Sequence, residues 1–336
     1  MRVDIVLEPN ASAAQFGELG ALAESYGLGA VWAANHQSSR DPFICFTGVA
    51  HATSKIRFGP VAVSPFEYHP LKMANLLFAL NEMSNGRTSI VVGGGGGTLT
   101  AMRKMPKRML SGVRECIEIL KGVSPEKPLN YEGDVFQVDH YWPRWATQEP
   151  PQIYVAASKA NMLRMATKFA DGMMMSDVTL PLMEESMAAI REGLSENGRS
   201  IESFHVNNLY AWHVKKDKDE AVHEARRKIW VRGMLVPWYL KPFMNESDCE
   251  LVQTNMKNFQ MSYLRNTPDV DNIPDRIMND LVENITLTGS VAELDRLIEH
   301  IKKFEAAGLN EIGFRLYDDP AESIRLIGEE VIPALR

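Results

Sequence analysis

Apolar positions along this chain recur with two alternating periods, and the switch between them marks out its elements. Val3 to Leu7 is a short strand-like run, and residues 13–26 carry a helical stripe of Phe16, Leu19, Leu22 and Ala23 that Gly27 stops. Gly29 to Ala33 reads as a second strand and residues 42–52 as a second helix. Ile56, Phe58, Val61 and Val63 make the third strand. Pro70 then fits a first helical turn, where a missing N–H costs nothing. Met73, Leu76, Leu77, Leu80 and Met83 share one face of that helix, and Asn85-Gly86 offers a left-handed stop. Thr88 to Val92 is almost wholly apolar, the pattern of a strand buried on both faces of a parallel sheet. Residues 56–97 therefore predict a strand–helix–strand unit, and it ends in five consecutive glycines, Gly93 to Gly97.

The alternation continues beyond it. Residues 101–121 read as a helix with Val113, Ile117 and Leu120 inward, and Pro128 to Val138 as a β-hairpin turning at Glu132-Gly133. Strands five, six and seven are Ile153–Ala156, Gly172–Met175 and Phe204–Val214, with helices starting near Lys159 and Pro181. Residues 217–285 break the rhythm with a charged helix and a segment rich in Trp, Met and Pro. Ser290 with Glu293 forms a capping box for a helix bearing Leu294, Leu297, Ile298 and Ile301. Ile312–Leu316 is the eighth strand and 320–334 the last helix. Eight such units favour a closed (β/α)8 barrel, an α/β TIM barrel, over an open doubly wound sheet. Such barrels often exceed the usual domain length, so one domain over residues 1–336 is expected. Chemistry in that fold gathers at the C-terminal ends of the strands.

Composition narrows the function by exclusion. A formal charge of −7 gives no electrostatic case for nucleic acid or an acidic membrane surface. Three cysteines, Cys45, Cys116 and Cys249, are sparse and odd in number, which suits a reducing compartment better than a disulfide framework. The start of the chain has no signal-peptide pattern and no stretch is long enough to span a bilayer, so a soluble cytoplasmic protein is expected. There is no His-Glu-x-x-His helix, no Cys-x-x-Cys pair and no Gly-x-Ser-x-Gly elbow. Metal-assisted hydrolysis and acyl transfer therefore lack a candidate. The glycine run serves either as a mobile loop or as main chain that approaches a flat ring or a phosphate closely. It is not a Rossmann fingerprint, since Thr98 holds the third glycine position, and no P-loop ending follows.

Two stretches, Phe58-Gly59-Pro60-Val61-Ala62-Val63-Ser64-Pro65-Phe66-Glu67-Tyr68-His69-Pro70 and Leu80-Asn81-Glu82-Met83-Ser84-Asn85-Gly86-Arg87, resemble the luciferase-like flavin and deazaflavin oxidoreductase superfamily. Further matches run from Pro9-Asn10, Asn35-His36 and Ser39-Arg40-Asp41 to Tyr131-Glu132-Gly133 and Ile327–Pro333. Within the superfamily the chain is most similar to the methylenetetrahydromethanopterin reductases, which use the deazaflavin coenzyme F420. The resemblance implies hydride transfer between F420 and a small organic substrate. FMN-dependent monooxygenation is the alternative, and a flavin-binding protein that has lost catalysis the third reading. It also implies a homodimer and an insertion, about 217–285, that covers the active-site end. Val61-Ala62 matches a non-prolyl cis peptide behind the central ring, with Ser64 and Gly93, Gly94 and Gly95 beside it. Between strand five and its helix, where relatives have a glycine-rich turn, Ser158 and Lys159 offer a hydroxyl and a cation to a phosphate. An ordinary Ser-capped helix is the other reading. Ser176 and Asp177 are candidates for the same tail. The segment Trp230–Tyr239, with Phe243 and Met244, could roof the cleft, pack on a second subunit or add core.

His36 and Glu8 are the candidate proton-handling residues. His36 stands just beyond strand two with a ring that titrates near neutral pH, or it merely closes a loop. The family commonly has Asp-His here, whereas this chain has Asn35-His36. Glu8 ends strand one; the methanopterin reductases carry their acid two positions earlier, at Val6, about 6–7 Å along the same strand face. An ordinary surface acid is the alternative. Relatives also often place an acid soon after the glycine motif, where Gly96 and Gly97 stand here.

Overall fold

The computed structural model describes residues 1–232 and 235–336. Eight parallel strands make the wall of a barrel: β1 (Arg2–Leu7), β2 (Ala30–Ala34), β3 (Arg57–Val61), β4 (Ser89–Val92), then, beyond a hairpin of β5 (Leu129–Glu132) and β6 (Gln137–Tyr141), β7 (Gln152–Ala156), β8 (Gly172–Ser176) and β9 (His205–Lys215), and last β11 (Glu311–Arg315). Their order is β3-β2-β1-β11-β9-β8-β7-β4, and bridges Phe58–Thr88 and Val63–Val92 close β3 onto β4. At that seam a Cβ on Gly59 would lie 1.7 Å from the Ser89 carbonyl oxygen, so only glycine lets the two backbones meet.

The helices around the wall are α1 (Ala13–Ser25), α2 (Pro42–Ala52), α3 (Pro70–Met83), α4 (Gly97–Ala101), α5 (Met109–Gly122), α6 (Ala160–Phe169), α7 (Leu180–Glu196), α8 (Lys218–Arg232), α9 (Pro237–Leu240), α10 (Glu246–Thr254), α11 (Met256–Arg265), α12 (Asp275–Ile285), α13 (Leu294–Ala306) and α14 (Pro320–Leu326). Local sequence explains their ends. Ser12 and Gln15 complete a capping box on α1, Pro70 opens α3 behind a His69 cap, and Asn85 (φ 54°) with Gly86 (φ 82°) turns the chain out of it. The main core fills the space between wall and helices. A smaller cluster lies inside the barrel, with Val6, Trp32, Val91, Tyr154, Met174 and Leu209 among its members. A further apolar cluster, built by α8 to α12, holds the chain between β9 and β10 together.

Three details differ from the expectations. The helix read over 101–121 is two, α4 and α5, because Arg103 adopts φ 53° and Pro106 follows in the break. The hairpin turns at residues 133–136, where the buried Glu115 carboxylate accepts from the N–H groups of Asp134, Val135 and Phe136. A strand the pattern missed, β10 (Thr286–Ser290), pairs with the outer half of β9 from Ala211 to Lys215. The Ser290–Glu293 capping box is present directly after it.

Candidate active site

The strand ends at the C-terminal mouth of the barrel carry the side chains that surround a cavity of about 350 Å³, a size suited to a small molecule. Its floor is the top layer of the barrel interior: Val6, Val61, Ala62, Ala156, Met174 and Leu209. The peptide Val61–Ala62 is cis. Gly93 lies close to the same bulge, since a Cβ there would stand 3.0 Å from the Ala62 Cβ and 3.3 Å from that of Ala156. A Cβ on Gly94 would displace the Met109 side chain, and Gly95 takes φ +95° with Leu99 against it. By contrast, among the described residues nothing lies within 4 Å of a Cβ built on Gly96, and Gln37 at 3.9 Å is the first neighbour for Gly97. The run therefore splits: its first three residues are glycine for packing and conformation, and its last two are uncrowded among the described residues.

One side of this apolar floor is charged. The β1–β11 register sets Val6 beside Arg315, and the Arg315 Nε donates to Glu8 at 2.6 Å. His36, from the end of β2, brings Nε2 to 3.1 Å from Glu8 and 3.0 Å from an Arg315 terminal nitrogen. One ring nitrogen cannot serve both at once. Unprotonated, it accepts from Arg315; protonated, it donates to Glu8. Burial alone would raise the Glu8 carboxyl, but the Arg315 charge and the His36 hydrogen bond outweigh it and hold Glu8 well below the usual carboxylate range. Burial likewise works against the Arg315 cation, and Glu8 with Tyr317 overcomes it, leaving the guanidinium more firmly protonated than usual.

A second pair stands behind the first. Arg232, at the end of α8 and wholly buried, is ion-paired with Asp177 and donates to the Tyr317 hydroxyl at 2.7 Å. Asp177 adopts φ 54° and accepts from the Ser176 hydroxyl at 3.0 Å. Across the mouth, the Asn35 amide donates to Glu67 at 2.8 Å, and burial raises that half-buried carboxyl with only the Asn35 hydrogen bond opposing.

Of the residues singled out from sequence, His36, Val61, Ala62, Gly93, Gly94, Gly95 and Ser176 line this cavity together. Glu8 borders it through its contacts with His36 and Arg315. Ser64 is buried in the β3–α3 turn, where its hydroxyl accepts from the Phe66 N–H. Ser158 and Lys159 lie outside the cavity lining, at the start of α6, where Lys159 rather than Ser158 holds the cap position and gives no side-chain cap. Tyr239 of α9 packs by Ser158. Within the segment Trp230–Tyr239, Val231 and Arg232 reach the cavity, Tyr239 joins the main core, and Gly233 and Met234 lie outside the described residues.

Arg315, Arg232 and Glu67 were not anticipated. A cation inside the apolar run Ile312–Leu316, at the end of a barrel strand, was the available signal for Arg315. Neither Glu67 nor Arg232 carried one, because their neighbours come from distant strands.

Comparison with known proteins follows the same lines. The profile of the luciferase-like monooxygenase family matches residues 2–311. A 5,10-methylenetetrahydromethanopterin reductase of Archaeoglobus fulgidus is 25% identical over 320 residues, covering 94% of each chain. Among solved structures, the coenzyme F420-dependent tetrahydromethanopterin reductase of Methanopyrus kandleri superposes with a TM-score of 0.79 over all of both chains at 21% identity. An F420-dependent secondary alcohol dehydrogenase, solved with an F420-acetone adduct, does so at 0.76 and 19% over the same coverage. Both confirm the barrel.

Proposed function

Because the chain belongs to the luciferase-like monooxygenase family, we propose that it is an oxidoreductase, one domain over residues 1–336, that exchanges hydride between coenzyme F420 and a small organic substrate, as methylenetetrahydromethanopterin reductases do. The observation that carries this reading is the asymmetry of the mouth: a small-residue floor under an open glycine edge on one side, a charge-locked Glu8–Arg315–His36 group on the other.

Those features fit a flat tricycle. Val61, Ala62 and Gly93 to Gly95 would back its ring, with Ser64 holding the turn beneath Gly95. Ser176, and at the uncapped start of α6 Ser158 and Lys159, would meet its phosphate-bearing tail. When bound, the deazaflavin would supply a two-electron hydride carrier. The chain's own part is to orient the substrate over the floor and to exclude water. His36, held between Glu8 and Arg315, would position the substrate from the charged side.

The family's name favours a second reading, an FMN-dependent monooxygenase. Anaerobic titration separates the two. The leading reading expects saturable binding of F420 and hydride exchange seen as loss of the oxidised coenzyme's visible absorption. Oxygen uptake coupled to reduced FMN, without F420 binding, would overturn it. A homodimer is part of the same proposal, checked by light scattering. So is a cytoplasmic location: Cys45, Cys116 and Cys249 are free and buried, and no helix among the described residues is long and apolar enough to cross a membrane.

A further inference from the structure

Adding hydride to a carbonyl or imine carbon leaves the heteroatom in need of a proton, and the mouth offers few acids to give one. Glu8 is held ionised by Arg315. Asp177 is wholly buried and joined to Arg232. Gly96 and Gly97 occupy the place after the glycine motif. Glu67 is the carboxyl left among the described residues that line the cavity.

Its setting differs from theirs in charge. Among the described residues the Glu67 carboxylate makes no ion pair and accepts one side-chain hydrogen bond, from the neutral Asn35 amide to Oε2 at 2.8 Å. The same Asn35 nitrogen lies 3.4 Å from the Ala62 carbonyl oxygen, so it ties Glu67 to the bulge that forms the floor and leaves Oε1 free to carry a proton. An aspartate at position 35 would set two carboxylates against each other; Asn35 removes that repulsion and orients Glu67 instead. The nearby titratable groups are Tyr68, whose hydroxyl is given to Asp41, and His36, whose Nε2 faces Glu8 and Arg315.

We propose that Glu67 is the carboxyl that protonates the substrate, positioned by Asn35, and that the substrate presents a C=O or C=N bond to the floor. This rests on the proposed function and deepens it. In the reducing direction bound F420 would supply hydride to the carbon, the π pair would move to the heteroatom, and that atom would take the Glu67 proton; the carboxylate left behind would be reprotonated from solvent. In the oxidising direction Glu67 accepts the proton. Burial without a cation keeps the carboxyl protonated into a range where a surface glutamate has already ionised.

Infrared difference titration of the full chain without coenzyme tests this, comparing the protein with Glu67→Gln, which keeps an oxygen to accept from Asn35. The expected spectrum contains one protonated carboxyl that disappears with Glu67→Gln and titrates above the ordinary Glu value of about 4.3. Asn35→Ala should move that titration further up. A Glu67 that ionises at or below the ordinary value overturns the proposal. With reduced F420 and 1-pyrroline or acetone as probe, Glu67→Gln should lower the rate at least 100-fold with F420 affinity unchanged. A rate within twofold of the unaltered chain overturns it, and if neither probe reacts the titration decides. Failure of F420 to bind at all would sink the proposed function, whereas tight binding with an ordinary Glu67 sinks only this inference.

Discussion

Glu8 and Arg315 are 307 positions apart in the chain and 2.6 Å apart in space. That contact explains how a strand-end acid can serve a site without titrating in it. Removing the carboxylate would take the ion-pair partner from a buried guanidinium. Glu8→Gln should therefore cost about 3 kcal/mol of folding stability, read from urea unfolding at pH 7. The sign of its pH dependence follows from the depressed folded-state carboxyl. The stabilisation is fully present above the unfolded Glu value, about 4.3, and is lost as pH falls through the lower folded-state value. The stability gap between the chain and Glu8→Gln should thus narrow from pH 7 to pH 3; a gap that widens in acid would contradict the lock. At this scale the sequence was legible only in part. His36 and Glu8 could be placed because each follows a recognisable strand. Their shared partner Arg315 was signalled only by a cation inside an apolar run, and its contact with them comes from the pairing of β1 with β11 rather than from neighbours in the chain.

Among the elements, the glycine run makes the sharpest separation between fold and function. Gly97 opens α4, and among the described residues only Gln37, at 3.9 Å, comes within 4 Å of a Cβ added there. Gly97→Leu should leave the melting temperature unchanged or slightly raised, because leucine is the better helix former by somewhat under ~1 kcal/mol. It should also weaken F420 binding at least tenfold in a fluorescence titration. Unchanged affinity would mean that the open edge is not where the coenzyme lies. Gly59→Ala acts in the opposite sense: with a backbone oxygen 1.7 Å from the added carbon, the β3–β4 seam must part. A loss of about 3 kcal/mol or more is expected in the same unfolding assay. Strongly periodic elements such as α3 and its Asn85-Gly86 stop were readable from spacing alone. The split of α4 from α5 was not, because the apolar rhythm continues through Pro106. Nor was β10, whose Thr286-Leu287-Thr288-Gly289 run is short and gains its strand character from pairing with β9.

For the whole molecule, the alternation of strand and helix was enough to derive the barrel, and eight parallel strands closing between β3 and β4 bear that out. What periodicity could not supply was the interior of the interruption after β9, where α8 to α12 build their own apolar cluster and α8 delivers Val231 and Arg232 to the mouth. Polar residues converge there from β1, β2, the β3–α3 turn, β11 and α8 onto one small apolar floor. The account stands on that floor receiving a deazaflavin ring. Equilibrium titration of the full chain with F420 and, separately, with FMN, followed by fluorescence and sedimentation, tests it most directly. The account predicts saturable, one-per-chain binding of F420, at least tenfold tighter than FMN and abolished or sharply weakened by Gly97→Leu. Preferential binding of FMN, or of neither coenzyme, would contradict it.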